Sequence, residues 1–107
     1  MVARGDIVWA DAPEPMGRRP VCVLTRDSAI PVLERITVAG VTRTIRGLPS
    51  EVAVGEGEGL PAPSVINCDD IARVPKLVLD PDRVGRLDEA RRIELDRALR
   101  FALDIRY

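Results

Sequence analysis

The sequence of 107 residues contains no histidine. Histidine is the commonest general acid and base in enzymes, so its absence excludes the Ser-His and Cys-His nucleophilic triads. It also removes a common zinc ligand, and Cys22 and Cys68 do not form a CxxC motif that would replace it. Each cysteine lies in an apolar or strand-like stretch, so we expect two buried, reduced thiols. Any catalysis must therefore rest on other side chains.

Metal sites of other kinds also lack their usual sequence signatures. The chain has dispersed carboxylates, but it has no HExxH motif, EF-hand loop or glycine-rich phosphate loop. We therefore expect neither a metal ion nor a cofactor. The carboxylates that could bind a metal, but that no such motif accompanies, include Asp6, Asp11, Asp27, Asp69 and Asp70.

Aromatic residues and long apolar runs are scarce as well. Only Trp9, Phe101 and Tyr107 are aromatic, which indicates an aliphatic core and argues against a platform of rings for base stacking. Trp9, inside an apolar run, is expected to pack in the core or at a dimer interface. No apolar run reaches the length of a membrane span and no signal-peptide pattern is present, so we expect a cytoplasmic protein without membrane association.

Charge is balanced overall but unevenly placed. The net charge of −1 argues against nonspecific coating of nucleic acid. Residues 1–50 carry seven arginines against five acids, whereas residues 51–107 carry nine bases against twelve acids. Lys76 is the only lysine, and guanidinium groups suit paired contacts with phosphate, although a GC-rich genome produces the same bias. The first half is the predicted anion-binding part.

The apolar pattern predicts a mainly β (α+β) fold in a single domain, residues 1–107. Short β-branched runs separated by proline and glycine predict strands at 5–11, 20–26, 36–42, 50–54 and 64–74. Asn67 and the acids after it predict an interruption in the last strand, and the connection 76–80 is expected to hold a short turn or an edge strand. Asp88 is a predicted N-cap. The helical stripe that follows consists of Leu95, Ala98, Leu99, Ala102 and Leu103.

A metal-free cleavage of RNA remains chemically accessible to this residue set. RNA carries its own nucleophile, so a protein can cleave it by orienting the 2′-hydroxyl against the adjacent phosphate and stabilising the developing charge. A guanidinium matches the oxygens of that transition state, and Arg19, fixed beside Pro20, is the candidate. Thr42, at the end of another predicted strand, is the candidate hydroxyl that holds a phosphate oxygen or the nucleophile.

Several spaced segments of the chain resemble the MazF/PemK family of toxin endoribonucleases, and together they cover nearly all of it. The resemblance implies a small SH3-like (MazF/CcdB-like) barrel of about five to seven strands with a C-terminal α-helix. It also implies a homodimer and a metal-independent endoribonuclease. The segments are Arg4–Asp11, Arg19–Leu24, Ile36–Thr42, Arg46–Val54, Ser64–Ile71 and Gly85–Leu87.

Family membership would make this chain the toxin of a type II toxin–antitoxin system. Such a toxin cleaves single-stranded RNA at short sequences, leaves 2′,3′-cyclic phosphate and 5′-hydroxyl ends, and thereby inhibits translation and growth. The resemblance assigns the catalytic pair to Arg19 and Thr42. It also implies a cognate MazE-like antitoxin, partly disordered, that binds and occludes the RNA groove.

Five further residues are candidate RNA contacts: Arg18, Arg43, Ser64, Asn67 and Asp70. Each also has a plainer interpretation, since arginines are commonly surface charges and polar groups at a sheet bend commonly satisfy local backbone. The segment 12–18 is shorter than the loop many family members carry over the RNA, and Arg43 stands where a small hydroxyl residue is frequent.

Two other functions stay open at the level of sequence. The same barrel serves CcdB-like toxins that poison DNA gyrase by protein contact, but the C-terminal Ile105-Arg106-Tyr107 does not match their ending. A noncatalytic RNA-binding barrel is the third interpretation. Loss of activity on substitution of Arg19 distinguishes the nuclease from both.

Overall fold

One antiparallel sheet of six strands dominates the computed structural model, which describes residues 1–106. Along the sheet the strands follow the order β4-β5-β3-β2-β1-β6, so β4 and β6 are its edges. The sheet curls like half of a barrel, with the C-terminal helix against β4 and β5. The strands are β1 Asp6–Asp11, β2 Arg18–Val23, β3 Arg35–Thr42, β4 Glu51–Val54, β5 Ser64–Pro75 and β6 Leu79–Arg86.

Both faces of the sheet are buried, which explains the nearly continuous apolar runs in the strands. Successive side chains of a strand point to opposite faces. Ile7 and Cys22 accordingly belong to the core under the helix, whereas their neighbours Val8 and Val21 belong to a second core on the other face. Cys22 and Cys68 are both buried free thiols, as expected.

The helix α1 spans Glu89–Ala102 and begins at the predicted cap, since the Asp88 side chain accepts a hydrogen bond from the Arg91 amide. Leu95 and Ala98 are buried against the sheet. The predicted stripe was one residue too long, because Leu103 follows the last helical turn and is 57% exposed. No described helix is long and apolar enough to cross a membrane.

The connection after β5 holds more structure than expected. A 3-10 turn at Lys76–Val78 leads into β6, which pairs with β1 as an edge strand of eight residues. The sequence predicts only a short turn or an edge strand within 76–80, so most of β6 was not predicted. Strand β2 also begins and ends earlier than predicted, at Arg18 and Val23.

The interruption expected in β5 is present and has a defined form. Ala39 of β3 lies opposite Ile71, but the next residue, Gly40, lies opposite Asn67, so residues 68–70 bulge out of the pairing. A bulge redirects the side chains that it carries. It brings Asp69 and Asp70 to separate partners in the site described below.

Candidate active site

Arg19 and Asp70 form an ion pair across the sheet, with a guanidinium nitrogen of Arg19 at 2.8 Å from Oδ2 of Asp70. Arg19 lies near the start of β2, and Asp70 lies in the bulge of β5, on the far side of β3. A Cβ atom at Gly40 of β3 would overlap both charged groups. The pair therefore requires glycine at the point where it crosses the middle strand.

The ion pair contributes more to geometry than to stability. The Arg19 side chain is 31% exposed and that of Asp70 is 47% exposed. Pairs this accessible to water stabilise a fold by only about 0.2–1 kcal/mol. The other N–H groups of Arg19 make no hydrogen bond to the described residues and remain able to bind an anion.

Thr42, the last residue of β3, lies beside this pair. Its hydroxyl oxygen accepts a hydrogen bond from the Thr44 amide at 3.1 Å, so the hydroxyl proton is available for donation to a ligand. With the ion pair it borders a cavity of about 170 Å³, which we call the charged cavity. Its lining consists of Arg19, Thr42, Thr44, Arg46, Glu51, Asn67 and Asp70.

Glu51 organises the loop that closes one side of the charged cavity. Its Oε1 accepts hydrogen bonds from the successive amides of Arg46, Gly47 and Leu48, at 3.1, 2.9 and 3.3 Å. Gly47 has a φ of 71°, a left-handed conformation that glycine adopts without strain and that lets these amides converge. The side chains of Thr44 and Arg46 reach the cavity from this loop.

The bulge of β5 anchors the other end of the same loop. The buried Ser50 hydroxyl donates to Oδ2 of Asp69 at 2.6 Å, and the Cys68 amide donates to the Ser50 carbonyl. Asp69 thus fixes the loop, while its neighbour Asp70 holds Arg19. Asn67 lines the cavity and uses its side-chain oxygen to accept from the Asp69 amide.

Two of the predicted contact residues lie in a neighbouring cavity of about 270 Å³, the apolar cavity. Arg43 and Ser64 line it, and Thr42 is shared with the charged cavity. Ser64 is buried and donates its hydroxyl to the Ala62 carbonyl, the local backbone role considered from sequence. The other walls include Trp9, Pro20, Leu60 and Pro61.

Arg18 stands apart from both cavities. Its guanidinium carbon lies 5.1 Å from the centre of the Trp9 ring, and the group is near the carboxylates of Asp11 and Asp80. Because neighbouring residues on a strand point to opposite faces, Arg18 cannot join Arg19 on its face of the sheet. Arg18 is thus absent from the lining of the cavity that holds Arg19.

No functional role was predicted from sequence for Thr44, Arg46 or Glu51. Residues 46–54 were part of the family resemblance, and residues 50–54 were a predicted strand, but hydrogen bonds from a loop to a strand leave no periodic signal. The described His, Cys, Asp and Glu side chains form no group of three or more arranged for a metal ion. The carboxylates of the charged cavity, Asp70 and Glu51, are instead bound to a guanidinium and to backbone amides.

The two buried thiols lie outside this site, and burial alters their acidity. Burial raises the pKa of the Cys22 thiol to about 12, and the nearby Cys68 adds to the effect. Burial also raises the pKa of Cys68, to about 11, with a further contribution from the charge of Asp69. Both groups are therefore protonated near neutral pH and are unsuited to nucleophilic catalysis.

Residues 3–103 match the family model described as PemK-like, MazF-like toxin of type II toxin-antitoxin system. The chain is 46% identical over 103 residues to the probable endoribonuclease MazF5 of Mycobacterium tuberculosis, covering 95% of this chain and 93% of that protein. It is 41% identical over 88 residues to endoribonuclease MazF3 of the same species, covering 81% and 84%.

Solved structures agree with the sequence matches. The fold superposes on the Mycobacterium tuberculosis toxin MazF-mt6 with a TM-score of 0.87 and 35% identity, covering 95% of this chain and 99% of that one. A mycobacterial endoribonuclease in complex with its cognate antitoxin gives a TM-score of 0.85 at 23% identity, over 100% and 99% of the chains. This likeness confirms the predicted mainly β architecture with a C-terminal helix.

Proposed function

The chain belongs to the PemK-like, MazF-like toxins of type II toxin–antitoxin systems and is an endoribonuclease of the MazF type, and from that premise we propose that it cleaves single-stranded RNA without a metal ion. Arg19 and Thr42 are the proposed catalytic pair. The observation that carries this proposal is the charged cavity, where a partly free guanidinium and a hydroxyl with an available proton border the same space. Neither a gyrase poison nor a noncatalytic barrel accounts for the identity to endoribonucleases over most of the chain.

In the proposed reaction the 2′-hydroxyl of the RNA attacks the adjacent phosphorus. The 2′-oxygen forms the new bond, the 5′-oxygen of the next nucleotide leaves, and a 2′,3′-cyclic phosphate and a 5′-hydroxyl result. Arg19 stabilises the negative charge on the phosphate oxygens, and the Thr42 hydroxyl donates to one of them. The guanidinium does not act as the base, because an arginine side chain stays protonated in proteins and carries only donors.

Asp70 is the proposed acceptor of the 2′-hydroxyl proton. Its Oδ2 atom is bound to Arg19, and Oδ1 makes no hydrogen bond to the described residues. Glu51 is less suitable, because both of its oxygens accept from backbone amides. The 5′-oxygen then takes that proton from Asp70, directly or through a water molecule, which completes the proton balance and restores the carboxylate.

Asn67 and Arg43 are proposed to contact the RNA from the two cavities that meet at Thr42. Ser64 is proposed to shape the apolar cavity, and Arg18 to contribute positive charge from the other face of β2. The sequence preference of cleavage would then depend on the apolar cavity and on the loop that Glu51 holds.

We expect the protein to act in the cytoplasm as a homodimer, restrained by a cognate MazE-like antitoxin. A partly disordered antitoxin segment with carboxylates would bind Arg19, Arg43 and Arg46 around the shared Thr42 and compete with the RNA. Deleting that segment from the antitoxin should restore RNA cleavage. Full inhibition by the shortened antitoxin would refute this mode of control.

The proposed chemistry is tested by incubating the protein with a long single-stranded RNA in EDTA and mapping the fragment ends. We expect discrete cuts with cyclic phosphate ends for the natural protein. Arg19→Ala and Thr42→Ala should each reduce cleavage by about 10²-fold or more, the usual effect of losing one donor to a developing charge. Arg97→Ala, an exposed arginine of α1, is the matched control and should cleave normally.

Circular dichroism of all four proteins must agree before the rates are compared. Intact RNA with the natural protein, or cuts that require a divalent ion, would overturn the metal-free mechanism. Cuts that persist at full rate in Arg19→Ala would remove Arg19 from the reaction.

A further inference from the structure

Ser50, the residue before β4, holds the bulge of β5. Residues 68–70 are unpaired with β3, and Ser50 supplies contacts that take the place of that pairing. Its carbonyl accepts a hydrogen bond from the Cys68 amide at 2.9 Å, and its hydroxyl donates to Oδ2 of Asp69 at 2.6 Å. A hydroxyl at this distance from a carboxylate forms a charge-assisted bond, which is stronger than a bond between neutral groups.

We propose that Ser50 is a positioning residue of RNA cleavage. By binding Asp69 it fixes the bulge, and the bulge places the next residue, Asp70, where its carboxylate orients Arg19. The inference rests on the proposed function, because Arg19 and Asp70 are the groups proposed to act on the RNA. Ser50 itself does not line the charged cavity, so it acts through its neighbours and not on the substrate.

The ion pair of Asp70 with Arg19 is too exposed to hold the bulge by itself. Among the described residues the Asp70 side chain bonds only to Arg19, and the two side chains are 47% and 31% exposed. Water competes for both groups, so little free energy is lost when such a pair separates. The backbone that carries Asp70 must therefore be fixed by other contacts.

The burial of Ser50 makes it the firmer anchor. Ser50 is fully buried, so water does not compete for its hydroxyl group. A buried hydroxyl without a partner is costly, which keeps the bond to Asp69 formed in the folded protein. The Asn67 side chain adds a second contact by accepting from the Asp69 amide at 3.0 Å.

Ser50 also joins the bulge to the loop on the other side of the charged cavity. The next residue, Glu51, accepts hydrogen bonds from the amides of residues 46–48, while Ser50 binds the bulge. Two consecutive residues thus connect the loop that carries Arg46 with the segment that carries Asp70, and both of these side chains line the cavity. The spacing across the cavity should therefore depend on Ser50.

The inference is tested by cleavage of a labelled RNA by Ser50→Ala. Asp69 is exposed and can bind water in place of the hydroxyl, so this variant leaves no buried polar group unpaired and should fold. We expect kcat to fall by about 10- to 100-fold, since a displacement of about 1 Å can cost that much. KM should change little, because the arginines proposed to bind RNA are retained. Ser28→Ala, at an exposed serine, is the matched control and should cleave normally.

Variants of Asp69 separate positioning from a direct role in the reaction. Asp69→Ala should lower kcat by the same factor as Ser50→Ala, and the double variant should be no slower, because one hydrogen bond is lost in all three. Asp69→Asn keeps an oxygen that accepts from Ser50 and should restore most of kcat. A much larger loss in Asp69→Ala than in Ser50→Ala would overturn the inference, since Asp69 would then act on the RNA itself.

Hydrogen exchange in the free protein gives a readout that does not depend on cleavage. Ser50→Ala should accelerate exchange of the Cys68 and Asp69 amides and leave the amides that pair β4 with β5 unchanged. Natural kcat in Ser50→Ala, or unchanged exchange at the bulge, would refute the positioning role and leave the nuclease intact. Faster exchange at the bulge of a protein that does not cleave RNA would refute the nuclease mechanism and still show that Ser50 holds the bulge.

Discussion

Asp70 holds the guanidinium of Arg19 at 2.8 Å across β3, in the space left by the missing side chain of Gly40. Three strands thus contribute one residue each to a single contact. The pair is too exposed to stabilise the fold by much, so its effect is to orient Arg19 toward the charged cavity. Four changes in and around this arrangement, and one in the core, give distinct expected outcomes.

Gly40→Ala should separate Arg19 from Asp70, because the new methyl group would overlap both side chains. We expect RNA cleavage to fall at least 10-fold, whereas the free energy of unfolding should fall by less than about 1 kcal/mol, because the overlapped atoms are the ends of flexible, partly exposed side chains. Cleavage rates and urea unfolding measure the two effects. Gly57→Ala is the control, since a Cβ there meets no atom within 4 Å. Full activity in Gly40→Ala would mean that the ion pair is dispensable.

Arg19→Lys keeps the positive charge and removes the planar fork. A lysine cannot bind Asp70 and two phosphate oxygens in the same geometry, so we expect kcat to fall by about 10²-fold with a smaller change in KM. Single-turnover cleavage of a labelled RNA measures the chemical step. A rate close to that of the natural protein would show that charge alone is sufficient at this position.

Asp70→Asn tests the proposed proton acceptor. An asparagine oxygen can still accept from Arg19, so the guanidinium stays in place while the basic oxygen is lost. We expect kcat to fall by about 10²–10⁴-fold, the usual contribution of general base catalysis. Asp82→Asn, at an exposed position of β6 outside both cavities, is the matched control. Similar rates for the two variants would assign the base elsewhere.

Glu51→Gln should loosen the loop that carries Thr44 and Arg46. The carboxylate now accepts from three successive amides, and losing hydrogen bonds to a charged group costs about 1–3 kcal/mol of stability. We expect faster hydrogen exchange at residues 46–48 and weaker RNA binding. Glu34→Gln, an exposed glutamate remote from the loop, serves as the comparison. Unchanged exchange at these amides would show that the loop is held by other contacts.

The core thiols predict how stability responds to alkaline pH. Burial raises the pKa of Cys22 from 9.0 to about 12 and that of Cys68 to about 11, so the folded state favours the protonated forms. Their contribution to stability is complete below about pH 9, the ordinary thiol pKa, and is lost as the pH rises toward 11–12.

Urea unfolding over this pH range measures the effect. The free energy of unfolding should decline more steeply for the natural protein than for a Cys22→Ala/Cys68→Ala variant, which lacks both titrating groups. A thiol reagent at pH 8 should react with the folded protein only as fast as the protein unfolds. Identical pH slopes in the two proteins would contradict the assigned burial.

Much of the architecture follows from patterns that are local in sequence. Short β-branched apolar runs predict β1, β3 and β5 within a residue or so, and Asp88 is correctly identified as the N-cap of α1. The strand β6 was not predicted because its proline, glycine and charged residues interrupt any such apolar run. It forms because β1 offers an unpaired edge, a property of the folded sheet. Tyr107, part of the comparison with gyrase toxins, lies outside the described residues.

The residues of the candidate site also fall into those that the sequence could predict and those that it could not. Arg19 and Thr42 could be selected from sequence, because each lies at the end of a strand and the family resemblance marks both positions. The residues that hold this site in place, Asp70 and Glu51, could not be selected in this way. Asp70 is 51 positions from Arg19 in the sequence. Glu51 accepts hydrogen bonds from the backbone amides of a loop that has no regular periodicity. Arg18 shows a further limit of the sequence, since adjacency to Arg19 in sequence places it on the opposite face of the strand, and its role toward the RNA stays a prediction.

Sequence alone determined five of the six strands, the helix and the placement of an arginine and a threonine near strand ends, because apolar runs and capping depend on residues close in sequence. Tertiary structure decided which of the two consecutive acids, Asp69 or Asp70, meets Arg19. That choice depends on the bulge that leaves residues 68–70 unpaired with β3. A shift of one residue in a strand exchanges the faces of all its side chains, and only pairing with a distant strand sets the register.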